Sequence, residues 1–159
     1  MDNITIRKAN GHDATGIGYV HYQSWIETYT GLFPDEVIEK LSLEKSVQLA
    51  TEHPENTYIA IVDEKVVGFS SYLKARDSDV ENYGEIIAIY VLKAYQGKGI
   101  GRKLIKVCYH ELLQYQGIII WVLKSNVNAV RFYEAEGFEF DGKRKVLYGK
   151  EVVRMMLKF

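Results

Sequence analysis

The stretch Glu85-Ile86-Ile87-Ala88-Ile89-Tyr90-Val91-Leu92 is almost wholly apolar, and a short connection leads from it into Gln96-Gly97-Lys98-Gly99-Ile100-Gly101. An apolar run without alternation is what a strand needs when both of its faces are covered, so Glu85 to Leu92 is predicted to lie in the middle of a sheet. From Gly99 to about Gln114, Ile100, Leu104, Cys108 and Leu112 recur at intervals of four, the stripe of an amphipathic helix. Gly117 to Val122 is a second β-rich run. Strand, helix and strand in that order form a β-α-β unit, which requires parallel neighbours and a right-handed crossover.

Working outward, Thr5 to Ala9 reads as a short strand, and His12-Asp13 opens a helix to about Tyr29, broken by Gly31 and Pro34. Asp35 to about Ala50 is predicted as a second helix, although Val37, Ile38, Leu41, Val47 and Leu49 fit the helical period only approximately. Thr57 to Val62 and Lys65 to Leu73 are strands joined by Asp63-Glu64, a connection short enough for an antiparallel hairpin. Asn126 to Glu136 is a helix stopped by Gly137, which suits a left-handed cap. Phe138 to Lys143 and Glu151 to Lys158 end the chain as strands around a loop. The order β-α-α-β-β-β-α-β-α-β-β describes one α/β domain over residues 1–159, a mixed sheet with helices on both faces.

The composition agrees with that size. A chain of 159 residues buries roughly 70% of the surface its unfolded form exposes, enough for a core without disulfides or metal. With 20 basic against 21 acidic side chains the net charge is −1, which removes the broad attraction to phosphate backbones and makes nucleic acid an unexpected partner. Cys108 is the single cysteine, and the histidines at 12, 21, 53 and 110 lack metal-ligand spacing, so no metal is expected. The opening Met1 to Lys8 has no hydrophobic core of a secretory signal, and the runs Ile86 to Leu92 and Ile118 to Leu123 are far short of the ~20 residues that span a bilayer. A cytoplasmic location is the expectation.

The glycine-rich segment sits between a buried strand and a helix start, where amide N–H groups lack intrahelical partners and the dipole favours an anion. Lys98, Arg102, Lys103 and Lys106 add positive charge there, suited to a diphosphate. Two common phosphate loops fail at named residues. A Walker loop needs Ser or Thr after Gly-Lys, where Gly99 stands. A dinucleotide fingerprint wants its third glycine at Arg102 and an acidic residue at Lys124. What survives is Gln/Arg-x-x-Gly-x-Gly/Ala.

Together with Glu85 to Val91, and with Asn126-Val127-Asn128-Ala129-Val130-Arg131-Phe132-Tyr133-Glu134-Ala135-Glu136-Gly137-Phe138, that pattern resembles the GNAT superfamily of acetyl-CoA-dependent N-acetyltransferases. The last segment agrees with Asn-x-x-Ala-x-x-Phe-Tyr-Glu-x-x-Gly-Phe at every fixed place, and the element order agrees from end to end. The resemblance implies that the strand over Glu85 to Leu92 carries a bulge and splays from its parallel neighbour. Acetyl-CoA then enters the gap, with its pantetheine arm against main chain near Val91. Gln96, Gly97, Lys98, Gly99, Gly101 and Arg102 would hold its pyrophosphate, and Asn126, also suited to a helix N-cap, would contact the arm.

An alkylammonium with a pKa of about 10 cannot attack a thioester before it loses a proton. Glu85, eleven residues before Gln96, falls where the family carries a general base that often works through water. Partial desolvation beside seven apolar residues would make it a better base, whereas a strand-opening glutamate facing solvent is the plain alternative. Tyr133 falls where the family places a tyrosine proposed to protonate the departing thiolate. From unperturbed values of about 10 and 8.5, complete transfer is uphill by roughly 2 kcal/mol, so a hydrogen bond that strengthens as charge develops is the firmer expectation. Phe132 and Phe138 read as core.

His21, Trp25 and Tyr29 recur every four residues on one helix face, a candidate wall for an amine acceptor, although such a stripe is more often simple core. The function expected is therefore acetyl transfer from acetyl-CoA to a primary amine, small-molecule or peptide, by direct attack. A non-catalytic acyl-CoA-binding module is the rival, opposed by the presence of both Glu85 and Tyr133. Family members are often dimers, which leaves a homodimer open.

Overall fold

The computed structural model describes residues 3–52 and 55–159. Met1, Asp2, His53 and Pro54 lie outside them, and with them the start of the opening segment read above. Seven strands form one sheet. β1 (Ile4–Lys8) pairs antiparallel with β2 (Thr57–Val62), β2 with β3 (Lys65–Lys74), and β3 with β4 (Gly84–Val91). β4 neighbours β5 (Gly117–Leu123) in parallel, and β6 (Glu139–Leu147) and β7 (Lys150–Lys158) complete the order β1-β2-β3-β4-β5-β7-β6. β4 is central, as its continuous apolar run requires.

Helices cover both faces. On one, α1 (Ala14–Tyr29) presses Ile17 and Val20 onto Ile59, Phe69 and Leu92. On the other, α4 (Ile100–Glu111) and α5 (Val127–Ala135) bring Ile105, Cys108 and Tyr133 against Ile86, Ile118 and Ile120. Cys108 is wholly buried in that stripe, and burial pushes its thiol up to about 11. It is a packing residue. The two-residue turns are both built on positive φ, at Asp63 (49°) and Glu64 (64°) between β2 and β3, and at Tyr148 (50°) and Gly149 (75°) between β6 and β7. That backbone matches the twist of the strands it joins. Gly137 (φ 101°) ends α5, its amide bonding to Glu134 O while Phe138 N reaches Tyr133 O, the paired bonds of a left-handed cap.

Two expectations need correction. The single helix over Asp35 to Ala50 is two, α2 (Asp35–Glu39) and α3 (Leu43–Glu52), because the Ser42 hydroxyl accepts from Lys45 N and starts a new helix; the approximate period was the sign of that break. The strand over Phe138 to Lys143 runs on to Leu147, and the expected loop shrinks to Tyr148-Gly149. A register shift between Phe140 and Arg144, with Gly142 at φ 92°, disrupts the alternation by which the strand would have been read.

The feature that opens the sheet lies between β4 and β5. These strands share only the register pairs Gly84↔Ile118 and Glu85↔Ile119. On the other side of β4, Ser71 pairs with Ala88 but the next residue, Tyr72, pairs with Ile86, so Ile87 is an extra residue that bulges out. A bulge bends its strand and increases its twist, which carries the rest of β4 away from β5.

A second device holds the loops around that opening. Arg154 on β7 is buried, and its guanidinium donates to Asp77 (3.0 Å), to both oxygens of Asp79 (2.8 Å each) and to Asp141 (2.5 Å). It ties the β3–β4 connection to β6. The Arg154 guanidinium holds the Asp79 carboxyl down to about 2. Because that lies below the unfolded value of about 3.9, the stabilisation is complete above about pH 4 and is lost as the pH falls through 2. Arg154→Met should therefore lower stability at pH 7, with the gap to the unmodified protein narrowing between pH 4 and 2. Urea denaturation across that range measures both.

Candidate active site

Where β4 and β5 part, a cleft of about 750 Å³ runs through the sheet. Ile87 to Val91 form one wall; Ile120, Trp121 and Val122 form the other, continued by Ser125 to Ala129, Phe132 and Tyr133. Gln96, Gly97 and Gly99 to Arg102 contribute to one end, and the end of α1 (Glu27, Thr28, Tyr29) with Leu32 closes the opposite face. Main chain on the open side of β4 is left without a strand partner beyond Glu85. Buried or enclosed, such groups need an external partner.

Gly97 (φ 78°) and Gly99 (φ 83°) turn the chain from β4 into α4. A Cβ at either would meet nothing within 4 Å, so the left-handed backbone, not space, calls for glycine there. Gly99 caps α4 with no side-chain bond, and the amides of Gly97, Gly99, Ile100 and Gly101 have no acceptor among the described residues. This is a cradle of free N–H groups at a helix N-terminus, suited to a diphosphate. The Gln96 side chain is committed elsewhere, donating to Val91 O at 2.9 Å, so it anchors the loop to the end of β4. Arg102 is largely exposed, 3.8 Å from Glu136, and Lys98 stands 5.6 Å over the Tyr95 ring.

The floor of the cleft is phenolic. Tyr90 on β4 accepts a hydrogen bond from Trp25 Nε1 (3.1 Å), and the Tyr29 hydroxyl interacts with both Tyr90 and Asn126. Of the proposed aromatic wall, Tyr29 reaches the cleft, while Trp25 stands behind it and His21 stacks on Tyr90 at 5.6 Å. Burial pushes the phenols of Tyr29, Tyr90 and Tyr133 above their ordinary range, so all three remain protonated donors at neutral pH. The Tyr133 hydroxyl has no hydrogen-bond partner among the described residues, although the ring is packed between Phe132 and Phe138. Phe138 is core as expected, whereas Phe132 also lines the cleft.

Asn126 caps α5, accepting from Ala129 N at 3.4 Å, and it also lines the cleft. Glu85 stands differently. It is 1% exposed at the closed end of the strand pair and does not line the cleft. Its Oε1 accepts from Arg76 N (3.1 Å) and Nε (3.3 Å), and its Oε2 from the Arg76 guanidinium (2.8 Å). The strand-opening glutamate facing solvent is thereby corrected: a guanidinium from the β3–β4 connection compensates a buried carboxylate. The carboxylate that does line the cleft is Glu27, whose Oε1 accepts from Lys93 N at 3.0 Å. Neither Glu27 nor Trp121 belongs to any motif, and only the meeting of α1 with the parted strands reveals them.

The acetyltransferase (GNAT) family model matches residues 20–138. The chain belongs to this family. An N-acetyltransferase of Bacillus subtilis, YuaI, itself uncharacterized, is 31% identical over 89% of this chain and 88% of its own length. A spermidine N(1)-acetyltransferase of Thermoplasma acidophilum is 28% identical, over 87% of this chain and 90% of its own. Among solved structures, the PaiA N-acetyltransferase of the same organism in complex with coenzyme A has the same fold, with a TM-score of 0.75 and 22% identity over 99% of each chain. This acetyltransferase thus has the fold that uses acetyl-CoA, and its free amides and parted strands are features of the protein alone. Among the described residues no group of acidic, histidine or cysteine side chains is arranged to hold a metal ion.

Asn126→Ala should cost about 1 kcal/mol through loss of the α5 cap, and Asn126→Asp should recover most of it. Urea denaturation of the two variants checks this.

Proposed function

We propose that the protein transfers the acetyl group of acetyl-CoA to a primary amine by direct attack, without an acyl-enzyme. One observation carries the reading: the unpaired amides of Gly97, Gly99, Ile100 and Gly101 open onto a cleft whose other end holds the unpartnered hydroxyl of Tyr133. These residues fit the cofactor. The amides, with Lys98 and Arg102, would hold its phosphates, while Asn126 and the open edge of β4 near Val91 would receive its arm. Acetyl-CoA supplies an activated acyl carbon and a thiol leaving group. Cys108, buried and held as a thiol, supports the direct route.

In the direct route the amine nitrogen bonds to the acyl carbon, the carbon–sulfur bond breaks, and the ammonium proton leaves. Tyr133 donates a hydrogen bond to the sulfur as it gains charge. Its raised phenol makes complete proton transfer costlier than unperturbed values suggest, so its contribution is electrostatic. Glu85 is the proposed base, acting through water, and to accept a proton it must give up a contact with Arg76. The acceptors we favour are alkylamines, polyamines among them, a reading supported by the spermidine acetyltransferase among its relatives.

A panel of amines assayed for release of the CoA thiol tests the proposal; CoA binding without release for any amine would point to a binding module. Tyr133→Phe should lower kcat about tenfold or more with little change in CoA affinity, and equal turnover would return Tyr133 to a packing role. Glu85→Gln should depress turnover most at low pH, where the free amine is scarcest. An unchanged pH–rate curve removes Glu85 from the reaction and leaves Glu27 as the cleft carboxylate.

A further inference from the structure

Trp121 sits on β5 where that strand has parted from β4, and its indole forms part of the cleft wall beside Tyr29, Leu32 and Phe33. Its edge and its face are both taken by groups of this chain. The indole N–H donates to Asp77 Oδ2 (2.9 Å), and Lys145 Nζ stands 4.2 Å from the ring centroid. Lys145 is exposed and has no carboxylate at ion-pair distance among the described residues. Its neighbours on β6 differ, for Lys143 reaches Asp79 at 3.9 Å and Arg144 reaches Glu151 at 3.4 Å. An alkylammonium on a long flexible stem thus rests on the ring of a tryptophan that lines the cleft, just outside the cleft lining itself, and shares that ring with the Arg154 guanidinium at 5.9 Å.

We propose that the face of Trp121, with Asp77 at its edge, is a subsite for a second cationic group of the acceptor, and that Lys145 fills this subsite in the free protein and is displaced when a diamine or polyamine binds. The inference rests on the acetyl-transfer reading above and extends it to the remote end of the acceptor. Charge favours a cation as the replacement. Around the ring, Asp77, Asp79 and Asp141 face Arg154, Lys143 and Lys145; Arg154 is fixed by three carboxylates, and Lys143 is paired. When Lys145 swings out, these groups are left with one uncompensated negative charge beside an exposed indole face, which an incoming ammonium neutralises and an incoming carboxylate would worsen. Trp121 and Tyr90 line the same cleft from opposite strands, so an alkyl chain can present one nitrogen to the phenols and the other to the indole. Lys145 therefore acts as a built-in competitor that raises the concentration of diamine needed, without touching the reacting groups.

Three probes of equal chain length separate the possibilities: 1,4-diaminobutane, n-butylamine and 4-aminobutanoate, whose remote ends are cationic, neutral and anionic. In Lys145→Met the KM for 1,4-diaminobutane should fall about tenfold, with kcat and the KM for n-butylamine changed less than twofold. Trp121→Leu should raise the diamine KM and abolish its advantage over the monoamine. An unchanged ratio of diamine to monoamine in Lys145→Met overturns the proposal. So does a rise in KM confined to 4-aminobutanoate, which would make Lys145 an anion anchor. Tryptophan fluorescence, with Trp25 and Trp121 the only sources, reads diamine binding independently of turnover. If no amine is acetylated but Lys145→Met still binds 1,4-diaminobutane more tightly than the unmodified protein, the subsite stands and the enzymatic reading falls. If neither occurs, both fall.

Discussion

Two parallel strands at the centre of a sheet stop bonding to each other after Glu85 and Ile119, and most of what is particular to this protein follows from that interruption. A central strand normally satisfies main-chain groups on both edges. Here one edge of β4 is open for most of its length, and the groups along it must find partners outside the protein's own sheet. The extra residue Ile87 bends β4 at this point, while the two strands stay paired at Gly84 and Glu85, where Glu85 also meets Arg76. The result is a slot between the parted strands, lined by the glycine turn and by the end of α1.

The chemistry of the slot is set by what the fold leaves unsatisfied. Away from the slot the charged groups are paired, Arg154 with three carboxylates and Tyr58 donating to Glu111, although the buried hydroxyls of Ser24 and Tyr72 lack partners among the described residues. Around the slot, four amides of the glycine turn and the hydroxyl of Tyr133 have no partner among the described residues. Raised phenols line the space between, kept protonated by burial and therefore able to donate to a group that gains negative charge. The part of the cleft against α1 and β5 is aromatic and carries the carboxylate of Glu27, surroundings that suit a cation.

The strands and helices were legible because their signals are local. The period of four in Ile100, Leu104, Cys108 and Leu112, the unbroken run of Ile86 to Leu92 and the two residues at Asp63-Glu64 each report a backbone state directly. The reading failed where a local signal was weak or broken. Ser42 divided what looked like one helix, and the shift around Gly142 hid the second half of β6. In the candidate site, the glycine turn, Asn126 and Tyr133 could be named because a contiguous motif carries them. Glu85 could be named too, but its pairing with Arg76 depends on a loop that returns to β4 from nine residues upstream.

By itself the sequence determined the fold class, the order of elements and the family, since periodicity, turn chemistry and short motifs need only neighbours along the chain. The tertiary structure alone decided which side chains share the slot. Glu27 from α1 and Trp121 from β5, with Lys145 from β6 over the Trp121 ring, are far apart in sequence and belong to no motif. They converge because two central strands diverge, and a divergence in space leaves no mark on the residues it brings together.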